Sequence, residues 1–134
     1  MILGSLDLGR QRIRQIRDLG AVQWILGPEG CGARAILRRT LARADVDMLV
    51  AVESYNYELQ LLLASQGRGL TLVPERVLWR SSLKSRLRPL RIPGLQFPFK
   101  IWSLQRASAE LEPVFSSLNR LLVAQLQRRT PSRS

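Results

Sequence analysis

Hydrophobic and polar positions in the first half of the chain alternate between strand-like and helix-like segments. An apolar run at residues 21–26 predicts a strand, and the glycine-rich corner after it leads into a helix predicted over residues 30–43. Residues 47–53 form a nearly continuous apolar run that ends in Glu53, a pattern typical of a strand buried on both faces. Strand, helix and strand in this order predict a βαβ unit.

The alternation continues beyond this unit. Ser54 is expected to cap a helix that ends at Gly67, because glycine readily adopts the left-handed conformation at helix ends. A third strand is predicted at residues 70–73, where Pro74 closes it and opens a short helical segment. Three strand and helix units in succession predict an α/β fold with a parallel-rich sheet flanked by helices.

The last third of the chain predicts two further strands and a long helix. The strands are expected at residues 87–92 and 97–106, separated by a proline and glycine turn. Pro113 is expected to begin a helix whose apolar positions recur at helical spacing. This apolar stripe contains Val114, Phe115, Leu118, Leu121, Leu122 and Leu126.

Chain length favours one domain with a core of its own, since 134 residues are too few for two domains of ordinary size. Residues 1–16 contain a basic stretch and are expected to be a lead-in to this domain. Residues 128–134 are polar and are expected to be a disordered tail.

The residue types present restrict the chemistry. The chain has one cysteine, Cys31, and no histidine, so it lacks an internal disulfide and the usual base of serine and cysteine nucleophiles. Its carboxylates show no metal-ligand spacing. We therefore expect no enzymatic activity, no metal and no cofactor. No apolar run reaches membrane-spanning length and the first residues resemble no signal peptide, so the expected location is the cytoplasm, without membrane contact.

The charge balance opens one alternative function. The chain carries 21 basic and 10 acidic residues, a net charge of +11, and such a surface attracts polyanions. However, the few aromatic residues do not alternate with the arginines, so no base-stacking surface is predicted. Arg34, Arg38 and Arg39 are expected on the solvent face of the first helix. A basic nucleic-acid-binding protein is thus an alternative to an effector-binding function.

The glycine corner opens a second alternative. Gly30, Gly32 and Ala35 spell GxGxxA at the start of a helix, which is close to a dinucleotide-binding fingerprint. The corner is longer than the fingerprint allows, and Glu29 would face the phosphates with like charge. A Walker-type phosphate loop is excluded because its lysine and hydroxyl positions are not met. A small nucleotide-binding enzyme that uses the Gly30 corner is nevertheless the second alternative.

Four segments carry a family resemblance through their order and spacing: WILGPEGCGARAILRRTL, VAVESYNYELQLLLASQGRGLTLVPERVL, LRPLRIPG and FPFKIWSLQRASAELEPVFSSLNRLL. Together they resemble the C-terminal effector-binding domain of the LysR-type bacterial transcription regulators over residues 17–127. The resemblance implies the second lobe of a periplasmic-binding-protein-like (type 2) fold, with the strand and helix that return to the first lobe. It also implies a chain truncated at its N-terminus, because a helix-turn-helix and the first half of the effector domain have no counterpart.

The same resemblance implies a function in transcription regulation. The chain would bind a small organic anion as effector and act through lobe and dimer geometry, so a homo-oligomer is expected and DNA would be contacted only through the absent helix-turn-helix domain. Ligands of open parallel sheets gather at the carboxyl ends of the strands. The effector site is therefore expected at Gly30, Cys31, Gly32, Glu53, Ser54 and Tyr55.

Simpler roles remain open for several of these residues. Cys31 is expected to be a small packing residue or a reactive thiol at a helix N-terminus. Ser54 can be a helix cap and a ligand contact at once. Glu29 and Glu53 would oppose an anion unless an arginine offsets their charge.

Overall fold

The computed structural model describes residues 1–6, 13–95, 97 and 111–128. The chain divides into two units, Met1–Phe99 and Lys100–Ser134. Among the described residues, the first unit contains the sheet and the second contains one helix.

Five strands form one mixed sheet in the first unit. They are β1 (Ile2–Ser5), β2 (Gln23–Leu26), β3 (Leu49–Glu53), β4 (Leu70–Leu72) and β5 (Leu87–Leu90), in the spatial order β3-β2-β4-β1-β5. Strand β2 is parallel to both β3 and β4, whereas β1 is antiparallel to β4 and β5. The three strands predicted to form a parallel arrangement are confirmed.

Helices follow the parallel strands as predicted. Helix α1 (Gly32–Ala42) follows β2, α2 (Tyr57–Ser65) follows β3, and α3 (Glu75–Arg80) follows β4. Short 3-10 helices at Ile16–Ala21 and Ser82–Arg86 precede β2 and β5. The resulting order of elements is that of an α/β fold.

Gly67 and Ser54 were the residues predicted at the two ends of α2, and the structure confirms only the first. Gly67 has a φ of 76°, the left-handed conformation predicted for it. At the other end the cap is Asn56, whose Oδ1 accepts a hydrogen bond from the backbone N–H of Leu59 at 3.2 Å. The prediction that Ser54 caps this helix is wrong, because the chain makes one further turn before α2 begins.

The second unit contains α4 (Glu112–Arg128), which begins one residue before the predicted start at Pro113. Most of the strand predicted at residues 97–106 and residues 129–134 of the predicted tail lie outside the described residues.

The core has two apolar layers, one on each face of the sheet, because successive side chains of a strand point to opposite faces. Trp24 of β2 is fully buried in one layer together with Leu37 and Leu41 of α1. Its neighbour Ile25 is fully buried in the other layer, against Leu61 of α2. Helices α1 and α2 therefore cover opposite faces of the sheet.

Strand β3 is less buried than its sequence predicted. It lies at one edge of the sheet, and Leu49, Ala51 and Glu53 are exposed while Val50 and Val52 are half-buried. The prediction of a strand buried on both faces is wrong. An apolar run does not reveal whether its strand is central or at an edge, which depends on long-range pairing.

The prediction for residues 2–5 is also wrong. They were expected to belong to a basic lead-in, but they form β1 between β4 and β5, and the side chains of Ile2 and Leu3 are buried. Four residues give too little periodicity to predict a strand. The antiparallel insertion depends on pairing with strands about 70 and 85 residues further along the chain.

Candidate functional site

Two corners of the chain meet at the carboxyl ends of β2 and β3. Leu26 and Glu53 are partners in the parallel ladder, so the glycine corner and the Glu53 corner begin side by side. The backbone N–H of Ser54 donates a hydrogen bond to the carbonyl oxygen of Leu26 at 2.9 Å. Gly30 has a φ of 87°, a conformation that favours glycine, and lets the chain turn into α1.

Arg34, in the first turn of α1, joins the two corners. Its Nη1 donates hydrogen bonds to Glu53 Oε1 at 2.6 Å and to the carbonyl oxygen of Gly27 at 3.3 Å. Its Nη2 lies 3.8 Å from Glu29 Oε1. Arg38, one turn further along, donates from Nη1 to the same oxygen of Glu29 at 3.1 Å. Both carboxylates that would repel an anion are thus paired with arginines.

The burial of Arg34 contradicts the prediction of a solvent-facing residue. Only 8% of the residue is exposed, and its Nε is buried without a hydrogen-bond partner. The sequence does contain a signal for this burial, because Arg34 precedes the buried Leu37 and Leu41 by three and seven residues. That spacing puts all three on the inward stripe of the helix.

The second corner is fixed to the core through Gln60 of α2. The backbone carbonyl of Ser54 accepts a hydrogen bond from Gln60 Nε2 at 2.6 Å, and Gln60 Oε1 accepts one from the hydroxyl of Thr71 at 2.9 Å. Ser54 Oγ accepts a turn hydrogen bond from the N–H of Asn56 at 3.0 Å. A serine hydroxyl that accepts one bond can still donate its hydrogen to a ligand.

The remaining predicted site residues differ in exposure. Gly30, Gly32 and Tyr55 are exposed, whereas Cys31 is half-buried. A Cβ atom placed on Gly27 would lie 3.0 Å from Cys31 Sγ, so the thiol packs against the backbone of the corner. This contact agrees with Cys31 as a small packing residue.

An open depression of about 600 Å³ begins at the two corners and follows α1 and β3. Of the predicted site residues, only Glu53 lines it, together with the arginines that the prediction did not include. The depression is therefore next to the predicted site and overlaps it only at Glu53. Its lining contains Glu29, Arg34, Arg38, Ala42, Asp45, Val46, Asp47, Met48, Val50 and Glu53.

Within residues 1–6, 13–95, 97 and 111–128, no three acidic, cysteine or histidine side chains are grouped so that they could hold a metal ion. No helix in that part of the chain has both the length and the apolar character needed to cross a bilayer.

Comparison with known proteins identifies the family. Residues 4–127 match the sequence model of the LysR substrate binding domain. Fold and sequence together define a substrate-binding domain with a periplasmic-binding-protein-like fold. The chain belongs to the LysR substrate binding domain family, and the family resemblance seen in the sequence is confirmed.

Two solved structures share the fold. The CcmR regulatory domain of Synechocystis PCC6803, in complex with 2-PG, is 20% identical with a TM-score of 0.66, over 90% of this chain and 61% of that one. The effector binding domain of QuiR, in complex with shikimate, is 15% identical with a TM-score of 0.58, over 72% of this chain and 46% of that one. The chain thus spans about half to three fifths of the length of these structures. Comparison with curated proteins gives no match.

Proposed function

We propose that the chain is the effector-binding module of a cytoplasmic LysR-type transcription regulator, without enzymatic activity of its own. Its effector is a small organic anion, bound where the glycine corner meets the Glu53 corner. The proposed site residues are Gly30, Cys31, Gly32, Glu53, Ser54 and Tyr55. DNA recognition is assigned to a helix-turn-helix domain, which residues 1–134 do not supply.

The observation that carries this proposal is the position of Arg34. A buried guanidinium lies between two corners that otherwise display the carboxylates of Glu29 and Glu53. Helices α1 and α2 both begin at this edge, and the first backbone amides of a helix carry partial positive charge. Arginine and helix N-termini together favour a negatively charged group at this place.

The ligands of the two solved structures support the proposed class of effector. The CcmR and QuiR domains were solved in complex with 2-PG and shikimate, and shikimate is a small carboxylate. The dinucleotide alternative is weakened by the ion pair of Glu53, because an acidic residue engaged by Arg34 is not free to bind a ribose hydroxyl.

Titration of the 15N-labelled chain with a panel of small carboxylates, followed by amide chemical shifts, tests the proposal. Shikimate, benzoate and succinate are suitable probes, and the methyl ester of shikimate is the matched neutral control. The proposal predicts saturable shifts at residues 30–34 and 53–56 with the acids and much smaller shifts with the ester. Shifts confined to exposed arginines in and just after α1, such as Arg39 and Arg43, would show nonspecific attraction instead.

Self-association is part of the proposed function. Leu49 on the edge strand β3 is 51% exposed, and an edge strand with exposed apolar residues promotes pairing with a second chain. Sedimentation of the wild type and of Leu49→Lys tests this, with Leu59→Lys on the surface of α2 as the control. Weaker association of Leu49→Lys alone is expected, and a monomeric wild type at high concentration would contradict the proposal.

A further inference from the structure

Arg34 has hydrogen-bonding capacity that its protein partners leave unused. Of its donors, Nη1 is engaged by Glu53 and by the carbonyl oxygen of Gly27, Nη2 lies 3.8 Å from Glu29, and Nε is buried without a partner. Arginine binds carboxylates most strongly when two parallel N–H groups meet both oxygens. Glu53 contacts the guanidinium through one oxygen only.

We propose that Glu53 and the acid group of the effector compete for Arg34, and that a bound effector displaces the carboxylate of Glu53 from it. This inference rests on the proposed effector-binding function. It adds the structural change by which the site responds to its effector. In the occupied state, the carboxylate of the ligand bridges two nitrogens of Arg34, and the carboxylate of Glu53 turns towards solvent.

The two partners differ in how easily they can move. The side chain of Arg34 is 10% exposed and is also held by Gly27, whereas the side chain of Glu53 is 47% exposed at the last position of an edge strand. A carboxylate that is already half in water can replace its ion pair by hydrogen bonds to water at little cost. Arg34 is therefore the fixed partner and Glu53 the displaced one.

Access to Arg34 is available from the open side of the site. The residue lines the depression of about 600 Å³ together with Glu53 and Glu29. Arg38 donates to Glu29 at 3.1 Å, so Glu29 keeps a cationic partner when Arg34 turns to a ligand. After the exchange, the carboxylate of Glu29 is paired with Arg38 and the carboxylate of Glu53 is in contact with solvent.

Displacement of Glu53 by the effector would also change the position of neighbouring elements. Glu53 ends β3, and the next residue, Ser54, is tied to β2 through its N–H and to α2 through its carbonyl oxygen. A change at Glu53 is thus transmitted to the edge strand and to the start of α2. These two elements are where we expect ligand-dependent changes in the surface offered to other chains or lobes.

Affinities of three variants for shikimate, benzoate and succinate test the exchange, measured by the same amide titration. Glu53→Gln removes the competing charge and is expected to tighten binding by roughly tenfold. Arg34→Lys removes the planar fork and is expected to weaken it by roughly tenfold or more. Arg39→Gln, at an exposed arginine of the same helix that lies outside the depression, is the matched control and is expected to stay within about twofold.

Two resonances of the wild type provide an independent readout. Binding should shift the side-chain Nε–Hε signal of Arg34 and the 13C carboxyl signal of Glu53, and a merely structural ion pair would move neither. Unchanged or weaker binding by Glu53→Gln, with ligand shifts still at residues 30–34 and 53–56, would overturn the exchange and leave the proposed function standing. Absence of ligand shifts at both corners in all variants would overturn the proposed function and the exchange together.

Discussion

The side chain of Gln60 connects the Ser54 corner to the centre of the sheet: its Nε2 donates to the carbonyl oxygen of Ser54 at 2.6 Å, and its Oε1 accepts from Thr71. Gln60 and Thr71 are 1% and 0% exposed, so neither amide nor hydroxyl can turn to water instead. Polar groups buried in this way rigidify what they connect only while every partner is present.

This connection predicts a coupled effect on stability. Thr71→Val leaves Gln60 Oε1 without its donor. Gln60→Leu leaves the Thr71 hydroxyl without its acceptor and the Ser54 carbonyl without its donor. Each substitution should lower the free energy of unfolding by about 1–3 kcal/mol. The double variant should cost less than the sum, because apolar groups then replace both members of the buried pair. Urea denaturation of the four proteins measures the coupling. Strict additivity would mean that the hydrogen bond does not contribute.

Gly69 provides a sharp test of the sheet. Its φ is 155°, and a Cβ atom added there would lie 2.5 Å from the carbonyl oxygen of Gln23 on β2. Gly69→Ala should therefore destabilise the chain by about 1–3 kcal/mol or more through overpacking and backbone strain. Gly32→Ala is the matched control, because nothing lies within 4 Å of the added atom at the start of α1. Equal thermal midpoints for the two variants would contradict the packing of β4 against β2.

Because Asn56 caps α2, its substitution is expected to destabilise the chain more than substitution of the nearby Ser54. Asn56→Ala removes the acceptor for the N–H of Leu59 and should cost about 0.5–2 kcal/mol of stability. Ser54→Ala removes only a turn bond to Asn56 and should cost less, while the carbonyl bond to Gln60 persists. A larger loss for Ser54→Ala would favour the cap predicted from sequence.

The hydrogen bonds of Asp18, in the 3-10 helix at Ile16–Ala21, predict that the stability of the chain depends on pH. Hydrogen bonds from the backbone N–H groups of Arg14 and Gln15 hold the pKa of Asp18 below its usual value of 3.8. A lowered folded-state pKa of an acid contributes stability above pH 3.8, which is lost as the pH falls through the folded value. Asp18→Asn should therefore be less stable than the wild type near neutral pH, with the difference shrinking in strong acid. A pH-independent difference would contradict this origin.

Sequence patterns were sufficient where the structure depends on local periodicity. The strands around Trp24 and Val52, the helices after them and the left-handed Gly67 follow from apolar spacing and glycine conformation. The edge position of β3 and the insertion of β1 depend on long-range pairing, which periodicity does not encode.

The candidate site was predicted only in part for a related reason. Gly30 and Glu53 could be placed at strand ends, because the strand order βαβ brings parallel strand ends to one edge. Arg34 was missed because its charge suggested solvent, although its spacing from Leu37 and Leu41 indicated the inward face. The ion pair with Glu53 could not be deduced, since it depends on how far the glycine corner turns.

Anomalous diffraction from crystals soaked with 4-bromobenzoate tests the central claim most directly, because it locates a small carboxylate on the chain. The strongest bromine peak is expected at the corner formed by residues 27–34 and 53–55, with the carboxylate of the ligand hydrogen-bonded to Arg34 and Glu53 turned away. A bound ligand found only on the outer, arginine-rich surface, with the Arg34 and Glu53 pair intact, would contradict it.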